Sequence, residues 1–261
     1  MDLDRLVEIL GCPTCRVRVE PIRDALFCPE CGHRYRVEDG VPWMIVQGTP
    51  PAAKGEDLAV EKPYVRIPRD LPEEFRDGIV LDYGAGNQKQ KYPHVVQFDT
   101  VRFPTTDVLG TPDALPFQDS TFDAIYSSSA IEYLPDPFLA TAEIHRVTKP
   151  GGVILLRVAF MQPFRSVREH YFNMTVEGLR RLTRDFHPLQ VSWDPTAPHL
   201  FRWVLAILLQ GMDPPARKEA LGMTFGELVA RMEKNDYGPF EKISDDARKA
   251  LSPCVFFCGY K

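Results

Sequence analysis

Apolar residues along this chain fall into short runs, not long stripes. Residues 79–83, 95–99, 123–127 and 153–159 are each dominated by Val, Ile, Leu, Phe, Tyr and Ala. Such near-continuous runs predict strands buried on both faces, as in a parallel sheet covered by helices. Residues 136–148 follow another rhythm, with Phe138, Leu139, Ala142, Ile144 and Val147 apolar and Glu143 and Arg146 between them. Pro137 suits a first helical turn, and Pro150-Gly151-Gly152 suits a stop, so a helix is expected there. Residues 188–194 and 252–260 read as two further strands, with a helical insertion over about 195–250. Within it Phe201 to Leu209 is intensely apolar but too short for a bilayer, which fits a buried or dimer-forming helix.

The two ends of the chain differ. Tyr35, Val37, Val41, Trp43 and Ile45 alternate in the manner of short strands, and Gly32 and Gly40 suit turns. Residues 1–48 thus form a small β-rich module. Residues 49–75 carry five prolines and read as a linker, with Tyr64, Val65 and Ile67 apolar enough to serve as a lid. The main domain is expected over 76–261.

Candidate chemistry sits where the runs end. Ile79-Val80-Leu81-Asp82-Tyr83-Gly84-Ala85-Gly86 is an apolar run that breaks on an acid and then on two glycines. Glycine lets the backbone bend sharply and lets a ligand approach with no Cβ in the way. In open α/β sheets nucleotide-like cofactors lie at this place, the carboxyl end of the first strand. Thirteen residues on, Val95-Val96-Gln97-Phe98 closes on Asp99, an acid suited to accept from both hydroxyls of a ribose.

Cys12-Pro13-Thr14-Cys15 and Cys28-Pro29-Glu30-Cys31 form a second constellation. Two Cys-x-x-Cys knuckles supply the four thiolates of a closed, tetrahedral, structural Zn²⁺ site. A module this small builds little core of its own, so metal binding energy serves as folding energy. Cys254 and Cys258 read as buried thiols.

Charge narrows the partners. The net charge is −5, and residues 1–48 hold six Arg and no Lys against eight acids. A four-thiolate zinc site adds further negative charge. This balance disfavours a phosphate-gripping surface, and Arg180, Arg181 and Arg184 read as a solvated helix face. No run is long enough for a membrane span, the first residues lack a leader pattern, and a cytoplasmic location is expected.

The order of motifs resembles the class I S-adenosylmethionine-dependent methyltransferases of the type 11 kind. The residues that carry it are the Asp82-x-Gly84-x-Gly86 turn, Asp99, Leu115-Pro116-Phe117 through Phe122-Asp123, and Glu143-x-x-Arg146-Val147-x-Lys149-Pro150-Gly151-Gly152. Residues 1–48 resemble the small zinc-ribbon family that activates RNA and protein methyltransferases, fused here to the main domain. The resemblance implies an α/β fold: a Rossmann-like class I methyltransferase sheet with a small N-terminal zinc ribbon. It implies S-adenosylmethionine as cofactor, held by Asp82, Tyr83, Gly84, Ala85, Gly86, Asn87, Asp99, Thr100, Asp113, Ala114, Leu115 and Ser128.

Within that implied set, Asp82 would orient the turn and meet the methionine amine, Asp99 would bind ribose, and Ser128 would face the methyl-transfer centre. The chain departs from the family in three places. Residues 87–94 are too short for the usual helix after the glycine turn. Thr111 stands where an adenine-side Asp is common, leaving Asp113 to substitute. Tyr133 replaces a common His beside Glu132. His170, in the segment Arg168 to Thr175, is then the candidate general base, with Tyr171 and Arg168 as substrate contacts. The shortened link resembles a subgroup that acts on sugars, lipid-linked glycans and small metabolites. The expected reaction is O- or N-methylation of a small molecule or glycan, with an RNA methyltransferase or a non-catalytic scaffold as alternatives; a homodimer is one assembly open to the chain, whose oligomeric state the sequence leaves open.

Overall fold

The computed structural model describes residues 1–46, 78–89, 91–161, 169–188, 191, 197–234, 238–245 and 247. The linker at 49–75, the strand expected at 252–260, Cys254, Cys258 and Arg168 lie outside them, as does most of the strand expected at 188–194. The described chain separates into two units, Met1–Ala159 with Tyr171–Val191, and Phe160–His170 with Ser192–Lys261.

The first unit opens with α1 (Leu3–Ile9), capped by the Asp2 side chain on the Arg5 amide. Four short antiparallel strands follow: β1 (Glu20–Ile22), β2 (Ala25–Phe27), β3 (Arg34–Glu38) and β4 (Val41–Met44). Then come β5 (Val80–Tyr83), β6 (Val95–Asp99), β7 (Val108–Gly110), β8 (Phe122–Ser128), α2 (Pro137–Val147), β9 (Thr148–Arg157) and α3 (Val176–Leu182). The four expected parallel strands are present within a residue or two, save that β9 starts earlier, taking in Pro150-Gly151-Gly152. The expected helix is α2, with Asp136 capping Phe138 and Leu139. The three-residue β7 is an element that the apolar pattern does not reveal. No helix follows the glycine turn among the described residues, in line with the shortened link.

The strands form one sheet in the order β1-β2-β3-β4-β7-β6-β5-β8-β9. From β7 to β9 all pairings are parallel, and the order reverses between β5 and β8. That reversal is the topological switch point of an open α/β sheet. β4 pairs in parallel with β7, Trp43 opposite Leu109 and Met44 opposite Gly110. The N-terminal module therefore covers what would be the exposed edge of the main sheet, satisfying its backbone groups. One core runs through both parts: Leu6, Leu10 and Tyr35 of the module share it with Leu81, Phe98, Phe117 and Ile144.

The second unit is helical: α4 (Ala197–Gly211), α5 (Pro214–Gly222) and α6 (Phe225–Met232), the last closed by a Thr224–Glu227 capping box. Among the described residues no helix is long and apolar enough to cross a membrane.

Candidate functional site: a glycine crevice and a four-cysteine centre

At the carboxyl end of β5 the chain turns through Gly84 and Gly86, at φ 68° and 66°. Gly84 is required twice over. Its φ is left-handed, and a Cβ there would stand 2.4 Å from the Ala130 Cβ of the loop after β8. The Gly84 and Ala85 amides both donate to the Phe98 carbonyl at 3.0 Å, which folds the turn over the end of β6.

Asp99 controls that turn. Its Oδ2 accepts from the Gly86 amide at 2.8 Å and its Oδ1 from the Val101 amide at 2.9 Å. A carboxylate has about four acceptor directions, so one such group can serve both backbone amides and other donors. Asp82 stands opposite Gln97 in the register, and Asp99 lies two residues further along the same strand. Both acids therefore share one sheet face. Gln88 Nε2 bridges Asp82 Oδ2 at 3.3 Å and the Ala85 carbonyl at 2.7 Å. This buried amide was not among the residues singled out from sequence. Nothing in a single chain distinguishes it from the other polar residues of the turn.

Tyr83 contributes backbone to the turn and its side chain to the core. Its ring stacks on Phe98 at 5.6 Å, and its hydroxyl donates to the Pro112 carbonyl at 3.0 Å. Burial, with Asp113 and Asp99 nearby, pushes the phenol well above its ordinary value. Asn87 and Thr100 are half-buried beside the turn, Ala114 is half-buried and Asp113 exposed. Ser128 ends β8 half-buried, next to Ser127, whose buried Oγ has no hydrogen-bond partner among the described residues. His170 belongs to the second unit, while Tyr171 and Phe172 belong to the first, their amides donating to the Glu132 carbonyl at 2.9 and 3.1 Å.

The loop after β7 is held from two sides. The Leu115 amide donates to Glu143 Oε2 at 2.8 Å. Arg146 binds the same carboxylate through Nε and Nη2, at 2.8 and 2.6 Å, and donates to the Leu115 and Phe117 carbonyls and to Asp119. Burial works against the Arg146 charge, but the bonds to Glu143 and Asp119 overcome it and raise its pKa further. The Glu-x-x-Arg motif is thus a clamp on the Leu-Pro-Phe loop. From the other side, Leu10 bridges Phe117, the Gln118 amide donates to the Ile9 carbonyl, and the Gly11 amide to the Pro116 carbonyl. Thr111, which replaces the family's acid, accepts from the Val46 amide at 3.1 Å.

The four cysteine sulfurs, of Cys12, Cys15, Cys28 and Cys31, lie within 4.8 Å of one another, with Cys12 and Cys31 at 3.9 Å. Tetrahedral Zn²⁺ with thiolates at about 2.3 Å places them about 3.8 Å apart, so the donor set fits. Burial would raise the Cys12 thiol, yet the Tyr35 hydroxyl at 3.1 Å and the Cys15 and Thr14 amides reverse this and lower it to about 7. Burial and the Cys12 bond push the Tyr35 phenol up, and towards the thiolate form of Cys12 its hydroxyl is the donor. Burial pushes Cys28 up, although the Cys31 amide donates to its sulfur.

Residues 80–156 match the family described as a methyltransferase domain, and residues 4–40 match the Trm112p-like proteins. A demethylmenaquinone methyltransferase of Renibacterium salmoninarum is 33% identical over 99 residues, covering 36% of this chain and 38% of that one. The mouse mitochondrial arginine-hydroxylase NDUFAF5 is 40% identical over 106 residues, 34% of this chain and 29% of that protein. The chain thus spans under two fifths of the length of these curated relatives. Among solved structures, a complex between the Haloferax volcanii Trm112 methyltransferase activator and a methyltransferase aligns with a TM-score of 0.32 at 22% identity, over 41% of this chain and 58% of that one. The chain thus carries a segment that matches the methyltransferase-domain family beside one that matches the Trm112p-like proteins, the latter holding a four-cysteine cluster suited to zinc.

Proposed function

We propose that the chain transfers a methyl group from S-adenosylmethionine to an oxygen or nitrogen of a small molecule or glycan. The observation that carries this is the pairing of the glycine turn with Asp99 at the switch point. The sulfonium supplies an already activated methyl group, so the protein's work is binding, alignment and exclusion of water. Asp99 grips the ribose while its bonds to the Gly86 and Val101 amides hold the turn in shape. Asp82, steadied by Gln88, receives the methionine amine. Thr100, Asp113, Ala114 and the backbone at Leu115 flank the adenine, and Ser128 faces the acceptor. His170 is the base for an acceptor that must lose a proton.

Tyr171 and Phe172, bonded through their amides to the turn after β8, are 43% and 37% exposed. Aromatic surface of this kind stacks on sugar and aromatic rings, which supports an uncharged small acceptor. The acidic balance of the ribbon supports the same reading over RNA. The test is a transfer assay with methyl-labelled donor against aromatic small molecules, glycan fragments and bulk RNA. Label in either of the first two supports the proposal. Label in RNA alone, with binding that weakens steeply with salt, overturns it.

A further inference from the structure

The two zinc knuckles share one turn geometry and differ in the residue that follows the second cysteine. In each, the residue after the second cysteine is left-handed, Arg16 at φ 63° and Gly32 at φ 72°. In each, that residue's amide donates to the carbonyl of the first cysteine, Arg16 to Cys12 at 2.7 Å and Gly32 to Cys28 at 2.9 Å. Glycine is the unstrained occupant of such a position, and a bulky side chain there is held against strain. A Cβ on Gly32 would meet nothing within 4 Å among the described residues, so packing at that atom does not ask for a side chain there.

The first knuckle does. Arg16 Nη2 reaches Glu143 Oε1 at 3.3 Å, the guanidinium 60% exposed and the carboxylate 9%. Glu143 Oε2 is the acceptor of the Leu115 amide at 2.8 Å. Arg146 also binds Glu143, but from the same helix three residues on, so it moves with its partner. Arg16 is the ion pair among the described residues that ties this carboxylate to the ribbon.

We propose that Arg16 is a positioning residue for the donor crevice. It fixes the Glu143 carboxylate from outside α2, and Glu143 in turn sets the Leu115 amide and the loop carrying Asp113 and Ala114. The strain at Arg16 is retained for that contact. This rests on the donor-site reading given above, and its test separates the two.

The variant Arg16→Gly copies the second knuckle, removing the side chain and the strain together. The zinc content should match the parent, and the melting temperature should not fall. Hydrogen exchange at the Leu115 amide should quicken, and S-adenosylhomocysteine affinity should weaken about two- to fivefold, the range of one half-exposed ion pair. Arg16→Lys should fall between the two. The exchange readout needs no ligand: faster Leu115 exchange with no ligand binding in any variant would uphold the linkage and sink only the donor-site reading. Leu115 exchange and affinity both unchanged in Arg16→Gly would overturn the proposal, as would loss of zinc from that variant.

Discussion

The four-cysteine ribbon and the glycine crevice are built in opposite ways. The ribbon takes all its ligands from two knuckles, each four residues long, so spacing alone fixes which atoms converge. The crevice is assembled from the ends of three strands and from the loop after β7, and its parts meet only once the sheet is ordered. Local chemistry is thus autonomous in one and conditional in the other. Yet the autonomous part supports the conditional one: β4 closes the sheet edge at β7, and residues 9–11 pair with residues 116–118.

The largest test of that dependence is removal of the metal. Cys28→Ser, at a fully buried ligand, should abolish zinc retention, because structural zinc contributes on the order of 10 kcal/mol to such modules. If the crevice depends on the ribbon, hydrogen exchange at the Gln118 amide should rise with zinc loss, since its acceptor is the Ile9 carbonyl. Unchanged Gln118 protection would separate the two regions.

A smaller effect is expected inside the crevice. Gly84→Ala sets a Cβ against Ala130 in a left-handed backbone, and should cost about 2–4 kcal/mol in denaturant unfolding. Gly151→Ala has the same backbone strain at φ 77° with nothing within 4 Å, and should cost only about 1 kcal/mol. Equal costs would remove the case that contact with the loop after β8, beyond backbone shape, requires Gly84.

The smallest effect lies at the opposite end of the sheet. Burial alone would raise the Asp123 carboxyl, but Lys149 Nζ at 2.8–2.9 Å and the Ile79 amide lower it. A carboxyl lowered in the folded state stabilises fully above its unfolded pKa and loses that contribution as pH falls through the folded value. Asp123→Asn should therefore cost about 1 kcal/mol or less at neutral pH, with the difference from the parent vanishing in acid. A difference that persists below both values would assign the effect to packing.

Much of this arrangement was legible in the sequence because its signals are local. Knuckle spacing, the apolar runs of β5, β6, β8 and β9, and Pro137 in the first turn of α2 each depend on residues close in the chain. What was not legible depends on pairing across distance. β7 is three residues long and reads as a loop until Leu109 is seen beside Trp43 and Asp99. Thr111 looked like a lost ligand, but its hydroxyl takes the Val46 amide from the ribbon. Glu143 and Arg146 stood in the family motif without a task until Leu115 was found between them. Asp99 was expected to serve the ligand alone, and its two backbone bonds add a structural role.

The central claim is that Asp99 and the glycine turn form the donor site, and isothermal calorimetry with S-adenosylhomocysteine tests it most directly. The parent should bind one equivalent. Asp99→Ala, which loses a charged acceptor, should bind about tenfold to a hundredfold more weakly, with a modest drop in melting temperature from the two freed amides. A parent that shows no binding, or a folded Asp99→Ala that binds as tightly as the parent, would contradict the account.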